Sequence, residues 1–251
     1  MSLTLTPLNN IPLIRHGDNL ADIILNAMPN TGLELQDNDI FVLAQKIVSK
    51  SEGRMVNLAD VEPSPRAKEL SIQVEKDPRL IEWILRESNE VLRVRKDVMI
   101  VEHRLGFVCA NAGIDHSNVN PAEDFVLLLP ENPDLSARNL REEIYKTTGK
   151  TTGVMIIDSH GRAWRNGTVG VCIGLGGIPA LVDERGWQDL FGYTLKATIV
   201  GVADELAAAA SLVMGQAAEG TPVTHVRGFP YPSKEGSLKE LIRPKDMDMF
   251  R

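Results

Sequence analysis

Short apolar runs alternate with polar, turn-forming stretches along this chain, and the period of each run predicts its element. Leu3 to Leu8 alternates apolar and polar side chains and reads as an early strand. Ile11-Pro12-Leu13-Ile14 follows, then the turn Arg15-His16-Gly17-Asp18. Asp18 can cap a helix whose apolar positions Leu20, Ile23, Ile24 and Ala27 keep helical spacing until Pro29 and Gly32. Asp39 to Ala44 reads as a buried strand, and it runs into the polar segment Gln45 to Arg54, which sets Lys46, Lys50 and Arg54 just past a strand. Asp77-Pro78 opens a second helix, with a cap, a proline in the first turn and Leu80, Ile81, Ile84 and Leu85 on one face. Trp83 lies off that stripe, for ordinary packing or for a contact between lobes or subunits.

The second half continues in the same manner. Phe107-Val108-Cys109-Ala110 and Val154-Met155-Ile156-Ile157 read as buried strands, and Phe125 to Leu129 as another. A helix spans Leu135 to Thr148, capped by Asp134 or Ser136, with Leu140 and Ile144 inward. The glycine-dense run Gly167 to Ala180 reads as a strand and a tight crossing where backbones approach closely. Thr198 to Val202 is a buried run before the small-residue helix Asp204 to Met214, which suits a central or interface position, and Thr224 to Gly228 is a last strand. Residues 230–251, with Pro230, Pro232, Pro244 and mixed charge, read as a peripheral C-terminal arm. With no repeat and no dividing linker, the expectation is one domain over 1–251 of mixed α/β class (α+β, mixed sheets).

Candidate chemistry sits at the ends of two of these runs. Asn111 to Asn118 carries Asp115 and Asn118 beyond a glycine turn, and Asp158-Ser159-His160-Gly161-Arg162 places a carboxylate and a hydroxyl at a strand end. Paired strand-end aspartates with hydroxyl and amide oxygens suit Mg²⁺ or Mn²⁺ shared with phosphate. Alternatively, each aspartate closes a turn by bonding its own backbone. Lys46 and Lys50 suit phosphate, or form a solvated turn. Arg162 and Arg165, either side of Trp164, could hold a phosphate or carboxylate, or stabilise an exposed loop by stacking. Arg93, Arg95, Lys96, His103 and Arg104 flank the strand-like Val98 to Val101, as the wet face of a strand or the lining of an anionic pocket. Gly174-Leu175-Gly176 fails as a dinucleotide fingerprint because the third glycine is misplaced and Pro179 stands where a helix should open. The chain also lacks a Gly-x-x-x-x-Gly-Lys-Ser/Thr loop.

Composition narrows the class. A net charge of −7 argues against a nucleic-acid backbone binder, and 43% apolar residues are enough for a real core. Cys109 and Cys172 lie in apolar runs without metal spacing and read as reduced core residues of a cytoplasmic protein. No window reaches the ~18 apolar residues of a membrane span, so no membrane partner is expected.

Taken in order, several blocks resemble the coenzyme F420-0:L-glutamate ligase family, colinear from about Pro12 to Gly228. They are Ile11 to Ile14, Gln45 to Arg54, Asn111 to Asn118, Asp158 to Arg165, Asp189-Leu190-Phe191-Gly192, Ala203 to Leu206 and Met214-Gly215-Gln216. The resemblance implies the family's own fold, an intertwined two-lobed protomer that forms a homodimer with sites near the interface. It also implies GTP as a substrate, Mg²⁺ or Mn²⁺ with K⁺ often assisting, and coenzyme F420-0 and L-glutamate as the molecules joined. By motif, Ile11, Pro12, Leu13, Ile14, Gln45, Lys46, Lys50 and Asn118 correspond to nucleotide contacts. So does the loop Met214, Gly215, Gln216, Ala217, Ala218, Glu219, Gly220, Thr221. Asp115, Asp158, Ser159 and Gln216 correspond to metal ligands, and Lys50, Asp115 and Asp158 form the implied catalytic set, with Arg162 or Arg165 to hold an acidic substrate. The family usually carries serine where this chain has Gln45 and often an acid where it has Gln216. A ligase of the same mechanism on another small acid and a non-catalytic nucleotide- and metal-binding protein are the alternatives.

Overall fold

A computed structural model of the chain describes residues 2–119 and 124–249; the last two residues of the expected arm, 250 and 251, lie outside them. In chain order the elements are β1 (Thr4–Pro7), α1 (Leu20–Ala27), β2 (Ile40–Ala44), α2 (Gln45–Ser51), β3 (Met55–Asn57), α3 (Pro65–Val74) and α4 (Pro78–Arg86). Then come β4 (Ser88–Arg95), β5 (Val98–His103), β6 (Val108–Ala110), β7 (Phe125–Leu127), α5 (Pro133–Thr148), β8 (Gly153–Arg162) and β9 (Arg165–Gly176). β10 (Val182–Asp183), β11 (Ile199–Val200), α6 (Val202–Met214), β12 (Val223–Arg227) and α7 (Leu238–Leu241) complete the order. The class is mixed α/β, as the pattern predicts.

A five-stranded sheet in the order β1-β12-β2-β8-β9 carries the core, with β2 and β8 parallel and the other neighbours antiparallel. Alternate residues of β2 feed opposite faces: Phe41 and Leu43 pack with α1 and α5, while Ile40 and Val42 pack with α6. Such a sheet, covered on both sides, explains why β2 and the first half of β8 read as continuous apolar runs.

The glycine-dense strand follows from the same sandwich. Ile173 is the extra residue of a bulge in β9 opposite Ile156 and Ile157. It shifts the alternation, so Gly170 meets α6, where an added Cβ would lie 2.6 Å from the Ala207 carbonyl, and Gly174 meets α5, where it would lie 2.4 Å from the Pro133 backbone. The expected tight crossing is thus two helices pressed against one strand.

The long excursion between β2 and β8 builds its own apolar cluster from Leu58, Ala67, Leu70, Val74, Ile81, Ile84, Met99, Val101 and Val126. Its sheets are β4-β5-β6 and β3-β7. Helix α3, which the hydrophobic spacing had not announced, opens on Ser64, whose hydroxyl accepts from the Ala67 amide. Trp83 packs against this cluster with Arg86 over its ring. At the other end of the chain, Leu238 of the C-terminal segment is buried and its amide donates to Asp134.

Several local expectations shift. Asn19, not Asp18, caps α1, because the Asp18 carboxylate turns back to the Arg15 amide at 2.7 Å. Asn132 caps α5, since Asp134 is drawn away to accept from Leu175 and Leu238, and Ser136 donates to Glu52. Gln45 to Ser51 is a helix rather than a turn, with Ile47 and Val48 buried. β6 is exposed at Val108 and buried at Cys109, so it alternates rather than lying wholly in the core. The buried run at Thr198 to Val202 is only the two-residue β11 with Ile199 exposed, and Val202 already belongs to α6.

One ionic cluster ties the segment after α2 to the turn before β4 and the end of β5. Glu87, 6% exposed, accepts from Arg54 Nη2 and Arg104 Nε at 2.9 Å each, and His103 Nε2 stands 3.6 Å away. Burial alone would raise this carboxyl, but His103, Arg104 and Arg54 together hold it down at about 2. A depressed carboxyl contributes stability that is present above its unfolded value and is lost as pH falls through the folded one. Glu87→Gln is therefore expected to lose about 2–3 kcal/mol at neutral pH and to flatten the loss of stability from about pH 4.5 down to 2. Urea unfolding of parent and variant across that range checks this, and identical curves contradict it.

Candidate active site

The first aspartate is aimed by a left-handed turn. Asn111, Ala112 and Gly113 take φ values of 50°, 54° and 64° directly after β6, and the Asn111 side chain accepts from the Met99 amide. Gly113 is tightly placed, since a Cβ there would sit 2.7 Å from the Leu129 side chain. The turn brings Asp115 against β7, where its amide and carbonyl both bond Leu127.

The second aspartate does not stand at a strand end, as the sequence suggested. β8 continues through Asp158, Ser159, His160 and Gly161, each paired with β9, and the chain reverses only between Arg162 and Arg165. Asp158 thus lies in mid-strand, held by the hairpin ladder. His160, two residues on and so on the same face, brings its Nε2 within 3.0 Å of Asp158 Oδ2. His160 escaped the sequence reading because a loop has no faces; reading the stretch as a strand would have paired it with Asp158.

Both aspartates open into one cleft of about 1350 Å³. The nucleotide and metal positions that the resemblance implies line it: Ile11 to Ile14, Gln45, Lys46, Lys50, Asp115, Asn118, Asp158, Ser159 and the loop Met214 to Thr221, whereas the blocks Asp189 to Gly192 and Ala203 to Leu206 do not. Its size exceeds the roughly 300–1,000 Å³ of an ordinary ligand pocket and is enough for more than one ligand. Arg54 is absent from the wall, because its guanidinium turns to Glu87 and the Leu129 carbonyl. Arg162 and Arg165 are likewise not cleft residues: they are exposed at the hairpin tip, where Arg162 bonds the Asn166 carbonyl. Arg15 and His16, which the reading left without a role, do line it.

The polar contacts form a connected set. Gln45 Nε2 donates to Asp115 Oδ2 at 2.7 Å, and Lys46 Nζ lies 3.5 Å from Asp115 Oδ1 while donating to the Ser117 carbonyl and hydroxyl. Lys50 Nζ donates to the Asn118 carbonyl at 2.6 Å, and the Asn118 amide donates to the Ala217 carbonyl, joining this loop to the one after α6. Ser159 Oγ donates to Gln216 Oε1 at 2.9 Å. Burial pushes the Asp115 carboxyl up to about 6 against the pull of Lys46, and the nearby Asp158 carboxylate adds to the rise. Burial and the Lys46 charge lower the Lys50 ammonium. Cys109 and Cys172 are free and buried, and burial raises both thiols, Cys109 to about 12, so neither serves as a thiolate.

Two carboxylates, a hydroxyl and an amide oxygen form an all-oxygen donor set that fits a hard divalent cation. Burial is the main cause of the raised Asp115 carboxyl, and a cation beside it would favour the ionised form. Among the described residues no group of three or more His, Cys, Asp or Glu is placed to hold a metal, so the set fits an ion that completes its shell with phosphate and water. No helix among them is long and apolar enough to cross a membrane.

Comparison with known proteins gives the family. Residues 9–228 match the family described as F420-0:Gamma-glutamyl ligase. The chain is 45% identical over 253 residues to the coenzyme F420:L-glutamate ligase of Methanothermobacter thermautotrophicus, covering 100% of both chains. It is 46% identical over 245 residues to that of Methanopyrus kandleri, covering 95% of this chain and 93% of the relative. To that of Archaeoglobus fulgidus it is 40% identical over 251 residues, covering 100% and 97%. By both measures the chain belongs to the F420-0:gamma-glutamyl ligase family.

Proposed function

We propose that this protein joins L-glutamate to coenzyme F420-0 in a reaction driven by GTP and a divalent metal ion. The observation that carries the reading is the convergence of Asp115, bridged to β7, and Asp158, within β8, in one cleft with Lys46, Lys50 and the loop after α6. An amide forms near neutral pH only from an activated acyl group. The γ-phosphoryl group of GTP therefore passes to the acceptor carboxylate, releasing GDP. The glutamate amine then attacks the acyl carbon, and phosphate leaves with the electrons of the broken C–O bond. Ile11 to Ile14 and Met214 to Thr221 embrace the nucleotide in this reading, and Lys50 steadies the transferring phosphate. Asp115, Asp158, Ser159 and Gln216 hold Mg²⁺ or Mn²⁺. When bound, the metal supplies positive charge that offsets what develops on phosphate and carboxylate oxygens. The homodimer is part of the same proposal, supported by the apolar Leu190 and Phe191, 97% and 94% exposed on the segment between β10 and β11.

The test is a ligation assay with purified protein, F420-0, glutamate, GTP and Mn²⁺, reading product mass and GDP together. Glutamate adducts with equimolar GDP are expected, and the mass counts the residues added. GTP hydrolysis without adduct, or no turnover at all, contradicts the proposal.

A further inference from the structure

The surroundings of Gln45 suit neither a surface residue nor a simple core residue. This glutamine opens α2, directly after β2, and is 1% exposed. Its amide is spanned at both ends: Ser49 Oγ, also buried, donates to Oε1 at 2.9 Å, and Nε2 donates to Asp115 Oδ2 at 2.7 Å. Ser49 lies four residues on along the same helix, so the spacing of donor and acceptor is set by the helix itself. A flipped amide would turn Oε1 toward an ionised carboxylate, so the Asp115 carboxylate selects the orientation in which Gln45 donates, and the Ser49 hydroxyl braces the oxygen at the other end.

We propose that Gln45, its amide locked by Ser49, is the positioning residue for Asp115: it holds Oδ2 and leaves Oδ1 for a divalent cation. The inference rests on the metal site of the preceding reading. A neutral donor is what such a task needs. Lys46, 3.5 Å from Oδ1, competes for the same carboxylate, and a charged partner on Oδ2 as well would weaken Asp115 as a ligand. Without the Gln45 bond both carboxylate oxygens are free to close on Lys46, which already lies 3.5 Å from Oδ1, and a ligand whose outer support is removed loses metal affinity by about ten- to a hundred-fold.

The test measures Mn²⁺ binding directly, by loss of the free-ion paramagnetic signal, for the parent chain, Gln45→Met, Ser49→Ala and Asp115→Asn, with thermal unfolding of each in parallel. Gln45→Met keeps the volume and removes the donor; Ser49→Ala keeps Gln45 and frees its amide, and is the gentler change. Both are expected to weaken Mn²⁺ by about ten-fold or more, and ligation by Ser49→Ala is expected to recover at high Mn²⁺, which a purely structural defect would not do. Affinity within twofold of the parent in both variants, while Asp115→Asn has lost binding, overturns the role of Gln45 alone. If the parent binds no Mn²⁺, or Asp115→Asn binds as tightly as the parent, the two-aspartate metal site fails and this inference fails with it.

Discussion

Replacing Asp115 or Asp158 with asparagine is expected to reduce ligation on the order of 10³-fold or more while leaving the fold intact. The metal charge these carboxylates would hold amounts to several kcal/mol at the transition state, and each 1.36 kcal/mol is tenfold in rate. Stability should move the other way for Asp115. Its carboxyl is raised from 3.8 to about 6 in the folded chain, so the metal-free protein binds an extra proton between those values and loses stability as pH rises through about 6. Asp115→Asn removes that loss, a gain of about 1–2 kcal/mol at neutral pH, kept small because the side chain is 27% open to solvent. Calorimetry of the metal-free proteins beside the ligation assay checks both halves. Near-parental turnover in either variant overturns the two-aspartate mechanism, and a metal-free Asp115→Asn that melts lower than the parent contradicts the burial argument.

Gly174→Val should be strongly damaging although it lies away from the cleft, destabilising by about 3–5 kcal/mol and lowering the melting temperature on the order of 10 °C. The first added carbon alone would lie 2.4 Å from the carbonyl carbon and Cβ of Pro133, which is backbone and ring at the start of α5, and neither can swing aside. α5 must then lift from β9, opening the cluster that holds Ile144, Ile156 and Ile173. Gly161→Ala is the control, with nothing within 4 Å of its added Cβ and no left-handed backbone, and should stay within about 0.5 kcal/mol. A Gly174→Val protein that melts with the parent would show that the helix can shift freely.

Sequence alone determined what depends on short-range periodicity. The strands near Ile40 to Ala44 and Val223 to Arg227, the helix at Pro78 to Arg86 and the close crossing in the glycine-rich strand follow from apolar spacing and glycine density within a few residues. The ordered blocks were legible from Ile11 to Thr221, and the positions implied for nucleotide and metal, though not Asp189 to Gly192 or Ala203 to Leu206, meet in one cleft. What the spacing could not decide was competition between distant groups for the same polar atom. Asp134 looked like a helix cap, but the amides of Leu175 and Leu238 claim it, and Asn132 caps instead. Arg54 reads as grouped with Lys46 and Lys50 just past a strand, but Glu87, 33 residues on, claims its guanidinium. Asp158 looked like a strand end because the apolar run stops at Ile157; pairing with β9 carries the strand on, since ladder hydrogen bonds form whatever the side chains are. Gln45 is marked only by the resemblance, as a nucleotide contact; its hold on Asp115, 70 residues away and 2.7 Å from its amide, comes from the fold. Local free energies are written in the sequence a few residues at a time; which partner wins a buried donor or carboxylate is settled only when the whole chain has closed around it.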